Sequence, residues 1–237
     1  TRIHNAAKEP EIVEEQNFLN SMGARISGAG TDTIQIEGVS KLSGTSWDLC
    51  PDRIEVGSYM MAAGITGGEI QICGARESQV AAVIGKLIET GCQIIRTQGA
   101  LRVIGPQRPK PVMVYALPYP GFPTDLQQQL TALLAIADGT SLVVETVFNN
   151  RFRHVDELRR MGADIRVEGR GALVRGVERL YGAQVEAPDL RGGMALVLAS
   201  LIAQGQTIIS GVEHLQRGYE HLVEKFSALG AQISLEN

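Results

Sequence analysis

The chain lacks what a disulfide frame, a metal centre or a membrane span would need. Its three cysteines, Cys50, Cys73 and Cys92, are an odd number with no C-x-x-C spacing. They read as reduced, cytoplasmic thiols and not as a disulfide framework or a zinc site. The four histidines show no metal-ligand spacing beside carboxylates or cysteines, so neither a metal nor a cofactor is expected. Basic residues do not outnumber acidic ones: 22 Lys and Arg stand against 26 Asp and Glu, a formal net charge of −4. That balance argues against nucleic acid as a partner. The longest apolar run, Met194 to Ala203, is too short to cross a membrane and is interrupted by Ser200. Residues 1–20 hold no signal-peptide core. The chain opens on Thr1 rather than Met, from which an upstream portion is expected.

What the chain does have is glycine, proline and a repeat. With 44% hydrophobic and 20% charged residues it reads as a globular chain with a sizeable core, and 237 residues allow one large domain or two small ones. The 27 glycines predict many turns and helix C-caps. Leu19-x-x-Met22-Gly23-Ala24-Arg25-Ile26 recurs as Leu87-x-x-Thr90-Gly91-Cys92-Gln93-Ile94, as Leu158-x-x-Met161-Gly162-Ala163-Asp164-Ile165 and as Phe226-x-x-Leu229-Gly230-Ala231-Gln232-Ile233. The glycines lie 68, 71 and 68 residues apart. Each copy predicts an amphipathic helix, a left-handed glycine after it, and a strand. A turn and a second strand ending in glycine follow: Ile34–Gly38, Leu101–Gly105 and Leu173–Gly176. Gly28-Ala29-Gly30 lies between two strands and lacks a third glycine at 33, so it reads as a hairpin and not as a dinucleotide fingerprint.

A second helix belongs to each unit. It opens at Asp52, Asp125 or Asp189, 39, 37 and 41 residues ahead of the repeat glycine. These helices are apolar nearly all round, as in Met60-Met61-Ala62-Ala63, Leu130–Ala137 and Met194–Ala203, and belong in the core. A strand is predicted after each, at Ile70–Ile72, Ser141–Glu145 and Thr207–Ile209. The fold class is therefore α/β, built of repeated βαβαββ units. Residues 46–237 read as one domain of three units starting near 48, 113 and 185. Residues 1–45 read as the remnant of an N-terminal domain, and 40–49, around Ser43-Gly44-Thr45, as the passage between the two.

The Pro118-Tyr119-Pro120-Gly121-Phe122-Pro123-Thr124-Asp125 stretch cannot be helix or central strand. It predicts a stiff, extended approach to a helix, with Thr124 or Asp125 as N-cap. Asp125 there is either a cap or a carboxylate delivered for chemistry. If the units are related by approximate threefold symmetry, the inner helices start at one end. Helix starts favour anions. Asp52-Arg53, Asp125 and Asp189-Leu190-Arg191 lie at those starts, and the outer helices are expected to start near Arg151 and Arg217, with Arg153 close by. Singly each arginine reads as a surface ion pair. Gathered together they suggest an anionic ligand, because a guanidinium pairs bidentately with carboxylate and phosphate.

Those residues also resemble a known family. Glu9-Pro10-Glu11, Pro51-Asp52-Arg53-Ile54-Glu55, Phe122-Pro123-Thr124-Asp125, Glu145-Thr146-Val147-Phe148-Asn149-Asn150-Arg151-Phe152, His154-Val155, Gly182-Ala183, Asp189-Leu190-Arg191 and Arg217-Gly218-Tyr219-Glu220 look like the UDP-N-acetylglucosamine 1-carboxyvinyltransferases. The match runs through the whole chain. The Gly-Ala repeat alone is also expected in the related 5-enolpyruvylshikimate-3-phosphate synthases.

The resemblance implies the enolpyruvyl transferase fold, in which three such units form an inside-out α/β barrel-like domain and two domains flank a cleft. It implies transfer of an enolpyruvyl group from phosphoenolpyruvate to the 3′-hydroxyl of UDP-N-acetylglucosamine, the first committed step of peptidoglycan synthesis, in the cytoplasm. By resemblance, Asp125 contacts the attacking hydroxyl and takes its proton. Val147 gives a backbone contact to the UDP-sugar, Arg191 and Arg217 bind phosphoenolpyruvate, and Arg151 and Asp189 line the cleft. The family's Lys-Asn pair and cysteine-bearing lid loop have no counterpart here and are expected upstream, in an N-terminal half of the same enzyme. By that reading this chain alone is inactive. After Arg191 stands Gly192-Gly193, where the family usually has Ala-Ser, which implies a looser helix start. A shikimate-type acceptor and a non-catalytic binding module remain the alternatives.

Overall fold

Residues 1–236 are described by a computed structural model; the final position of the expected 46–237 domain lies outside the described residues. The chain begins with β1 (Arg2–His4), α1 (Pro10–Ser21), β2 (Arg25–Ser27) and β3 (Thr33–Glu37). β3 lies between the other two strands, antiparallel to both, and the β2–β3 turn carries Gly28 and Gly30 at positive φ. It is the hairpin the sequence predicts.

The first full repeat contains α2 (Arg53–Thr66), β4 (Glu69–Cys73), α3 (Glu77–Glu89), β5 (Gln93–Thr97) and β6 (Ala100–Ile104), with strand order β4-β6-β5. The second contains β7 (Met113–Ala116), a 3₁₀ turn (Thr124–Leu126), α4 (Gln127–Leu134), β8 (Thr140–Glu145), α5 (His154–Arg160), β9 (Asp164–Glu168) and β10 (Gly171–Arg175). Its order is β7-β8-β10-β9, with β7 parallel to β8. The third contains β11 (Gln184–Glu186), α6 (Leu190–Ser200), β12 (Ile208–Ser210), α7 (Glu213–Gln216) and α8 (Leu222–Ala228), with β11 parallel to β12.

All four repeat glycines have positive φ: Gly23 at 101°, Gly91 at 100°, Gly162 at 95° and Gly230 at 98°. Two expectations give way. No strand follows Gly230: residues 231–236 run without a ladder, because no return strand pairs with them as β6 pairs with β5. No strand precedes α2 either, so among the described residues the βαβαββ pattern is whole only in the second repeat. Ahead of α2 the linker is held by a side chain of α1 instead of by a sheet. Cys50 N donates to Glu14 Oε1 at 2.7 Å and Trp47 Nε1 to the same oxygen at 3.4 Å.

The core forms around α2, α4 and α6, buried along nearly their whole lengths as their apolar composition predicts. Two glycines set how close α2 and α4 come. Gly57 and Gly64 are seven residues apart and share a face of α2. A β-carbon at Gly57 would collide with the Leu126 side chain, and one at Gly64 would lie 2.7 Å from Leu133 Cδ1. Leu126 and Leu133 are fully buried, and truncating such a leucine to alanine costs about 2–5 kcal/mol.

The glycine that ends each hairpin has a related duty. Gly105 and Gly176 close β6 and β10, and a β-carbon at either would run into the carbonyl of Ala63 or Ala137, at the end of the inner helix region. Backbone cannot give way as a flexible side chain can, so Gly105→Ala and Gly176→Ala should each lower stability by roughly 2–3 kcal/mol. Gly38 ends the first hairpin with nothing within 4 Å, and Gly38→Ala should stay within about 0.5 kcal/mol of the parent. Urea unfolding of the three variants checks both statements.

Candidate active site

The proline-rich stretch doubles back where an extended approach was expected. Leu117 N donates to Phe122 O and Gly121 N to Pro118 O, both at 2.9 Å. Pro123 then leads into the 3₁₀ turn that carries Asp125, and no side chain caps this helix start. The capping role expected of Asp125 is corrected, because arginines occupy both of its oxygens. Arg151 Nη2 donates to Oδ1 at 2.5 Å. Arg191 donates to Oδ2 from Nε at 3.2 Å and from Nη2 at 3.0 Å. Both arginine side chains are well buried, 18% and 15% exposed, while Asp125 keeps 35% of its own surface open. Burial pushes the Asp125 carboxyl up, but Arg191 and Arg151 outweigh it and hold the group below the ordinary aspartate value. It is therefore ionised at neutral pH.

Asp52 and Asp189, where the sequence places the starts of two inner helices, cap them with their side chains. Asp52 Oδ1 accepts from Ile54 N at 2.7 Å. Asp189 Oδ1 accepts from Arg191 N at 3.0 Å and Gly192 N at 2.8 Å. At Gly192-Gly193, where a looser helix start is expected, the backbone is closely packed. A β-carbon at Gly192 would lie 2.7 Å from Pro188 Cγ and 3.2 Å from His154 Cβ, and one at Gly193 3.1 Å from Leu215 Cγ. The glycines let α6 press against its neighbours and so fix the base of Arg191.

Other arginines divide between the site and elsewhere. Arg53 donates to Glu11 at 2.9 and 2.8 Å, joining α2 to α1. Arg153 is exposed at the start of α5. Arg217 stands after the last residue of α7 and not at a helix start, because α7 already opens at Glu213. It is exposed and pairs with no carboxylate among the described residues. The next residue, Gly218, faces the Leu190 side chain at the start of α6, where a β-carbon would lie 2.8 Å from Leu190 Cδ2. Val147 is exposed in the loop after β8, with its N–H donated to Glu145.

Sequence reasoning gave no role to four residues that hold this arrangement. Glu145 is 1% exposed. It accepts from Thr124 Oγ1 at 2.7 Å, Val147 N at 2.8 Å and Phe148 N at 3.1 Å. Its signal was available: Ser141, Val143 and Glu145 share the inward face of β8, and a carboxylate in that phase needs partners. Gln128, with its amide turned to satisfy both neighbours, accepts from Arg151 Nε at 2.9 Å and donates to Thr124 O at 3.1 Å. The Phe148 ring lies 4.6 Å from the Arg151 guanidinium carbon. Tyr219 is the fourth, beside Arg191. None of the cysteines enters the set: Cys50 touches Glu14, Cys73 ends β4 in solvent, and Cys92 is buried. No group of His, Cys, Asp or Glu among the described residues has the geometry of a metal site, and no helix there is long and apolar enough to cross a membrane.

Residues 1–226 match the family described as EPSP synthase (3-phosphoshikimate 1-carboxyvinyltransferase). The chain belongs to this family. Curated relatives bear a different acceptor in their names. UDP-N-acetylglucosamine 1-carboxyvinyltransferase 2 of Caldanaerobacter subterraneus subsp. tengcongensis is 54% identical over 98% of this chain. UDP-N-acetylglucosamine 1-carboxyvinyltransferase 3 of Symbiobacterium thermophilum is 51% identical over 100% of it. The chain spans 56% of the length of each. Among solved structures, the enolpyruvyl transferase NikO from Streptomyces tendae superposes with a TM-score of 0.87 at 28% identity, over 99% of this chain and 56% of that one. EPSP synthase from Acinetobacter baumannii gives 0.74 at 21%, over 93% and 54%, a likeness of fold. The fold is thus the enolpyruvyl transferase fold, as the sequence predicts.

Behind the arginines of this family member lies His154, 1% exposed, with Nε2 unpartnered. Burial drives its pKa down to about 4; Asp189 opposes that, Arg151 adds to it, and the Arg151 carbonyl favours the protonated form. A histidine depressed on folding stabilises the native state above its unfolded pKa near 6.5. That stability is lost as pH falls toward about 4. Between pH 7 and 4.5, wild type should lose roughly 2 kcal/mol more than His154→Asn, as read from urea midpoints at the two pH values.

Proposed function

We propose that the protein transfers the enolpyruvyl group of phosphoenolpyruvate to the 3′-hydroxyl of UDP-N-acetylglucosamine, in peptidoglycan synthesis and in the cytoplasm. The observation that carries this reading is the Asp125 carboxylate, ionised and held between Arg151 and Arg191 where the inner helices begin. The names of the relatives above 50% identity favour the nucleotide-sugar acceptor.

In this reading Asp125 takes the proton of the attacking hydroxyl as its oxygen adds to C2 of phosphoenolpyruvate and C3 gains a proton. Loss of a proton from C3 then expels phosphate and restores the double bond. Arg191 and Arg217 receive the phosphate and carboxylate of phosphoenolpyruvate. Arg151 keeps Asp125 ionised, Asp189 fixes the helix start under Arg191, and the Val147 backbone meets the UDP-sugar. Residues 46–237 form the domain of three units, and residues 1–45 belong to the domain across the cleft. The rest of the site comes from the part of the relatives' length that this chain does not match.

The test uses a protein of the relatives' length carrying this sequence, with phosphate release as readout. Transfer to UDP-N-acetylglucosamine and not to shikimate 3-phosphate is expected; the reverse preference, or none, overturns the reading. Asp125→Asn should lower kcat by about 10²–10⁴-fold with the fold intact. A variant within about threefold of the parent removes Asp125 as base. Arg217→Ala should weaken phosphoenolpyruvate by about 1.5–3 kcal/mol and the UDP-sugar far less. A larger loss for the UDP-sugar would show that Arg217 serves the other substrate.

A further inference from the structure

We propose that Tyr219 is the positioning residue of Arg191 and acts through its phenol hydroxyl. This rests on the reading of Arg191 as the cation that receives phosphoenolpyruvate. Tyr219 is 2% exposed, and its hydroxyl lies where residues of α2, α4 and α6 converge. Arg191 Nη1 donates to it at 3.5 Å and Gln129 Nε2 at 3.1 Å. Ser58 Oγ lies 2.9 Å away and is itself 2.8 Å from the Ile54 carbonyl.

The direction of each bond in this chain is fixed by what the groups can do. A guanidinium and an amide nitrogen only donate. They occupy both lone pairs of the Tyr219 oxygen, so its proton goes to Ser58, and the Ser58 proton goes to Ile54 O. The chain therefore starts at the site and ends on a helix carbonyl that cannot move without α2.

Arg191 uses Nε and Nη2 on Asp125 and Nη1 on Tyr219. An incoming anion can displace Asp125 from the first edge, but the phenol remains on the other. It keeps the plane of the guanidinium set while its partner changes, and a planar fork profits from that more than a point charge does. A merely structural explanation, that a buried tyrosine must satisfy its hydroxyl, is weakened in the same core. Tyr59 is 8% exposed, stacked on Phe226 at 5.0 Å, and its buried hydroxyl has no partner.

The experiment compares Tyr219→Phe with Tyr59→Phe. In a protein of the relatives' length carrying this sequence, Tyr219→Phe should raise the KM for phosphoenolpyruvate about tenfold and leave that for UDP-N-acetylglucosamine within about twofold, the effect of one lost charge-assisted bond. Tyr59→Phe should change neither. In this chain itself, ¹⁵N-arginine spectra should show the Arg191 side-chain N–H groups exchanging with water at least about tenfold faster in Tyr219→Phe, and unchanged in Tyr59→Phe. If Tyr219→Phe does not fold, Ser58→Ala, which removes the acceptor of the phenol proton, should speed Arg191 exchange in the same sense. Unchanged Arg191 exchange, or KM values that rise together for both substrates, overturns the proposal. A parent protein that transfers no enolpyruvyl group overturns the functional reading alone, because the exchange measurement still decides whether Tyr219 holds Arg191.

Discussion

The site depends on how closely the inner helices approach one another. On one face of α2 there are hydrogens where side chains would stand, at Gly57 and Gly64, and Leu126 and Leu133 fill the space. Leu126 is the residue after Asp125. The depth to which it sinks beside Gly57 therefore sets the position of the carboxylate. On the opposite side Gly192 and Gly193 bring α6 against Pro188, His154 and Leu215, and this sets where Arg191 begins. The bonds from Asp125 to its arginines span 2.5 to 3.2 Å. Such bonds weaken steeply with distance and angle, so a helix displaced by about the radius of a methyl group would disconnect them.

A carboxylate between two guanidiniums, all partly withdrawn from water, loses hydration that the pairing has to offset. The arrangement leaves few charged edges unpaired. Arg151 spends Nε on Gln128 and Nη2 on Asp125, and Asp189 takes the backbone amides that open α6. What stays accessible is about a third of the Asp125 side chain. This is a geometry in which an anion can change places with a carboxylate without leaving a buried charge alone.

Much of the fold was legible because it repeats. A glycine recurring at nearly constant spacing after an amphipathic stretch has one economical explanation, and all four copies adopt the left-handed backbone that explanation requires. The inner helices were legible because long apolar runs such as Met60–Ala63 and Met194–Ala199 leave them no charged face beyond the first turn. Strand pairing was less so. Among the described residues no strand forms before α2 or after Gly230, and pairing neighbours are set by the tertiary fold. At the site, Asp52 and Asp189 behave as local pattern says, since capping is local. Asp125 does not, since its partners lie 26 and 66 residues away in sequence. Tyr219 likewise joins Ser58 across 161 residues, a contact that no local pattern announces.

Glu145 has a mechanical consequence. One buried carboxylate grips the hydroxyl of Thr124 on one segment and the amides of Val147 and Phe148 on another. The segment that presents Asp125 and the loop that carries Val147 and leads to Arg151 are pinned at a common pivot. Neither can be displaced by a ligand without dragging the other. Any adjustment on ligand entry is then a tilt of one panel, and the spacing between Asp125 and Val147 is carried through it unchanged.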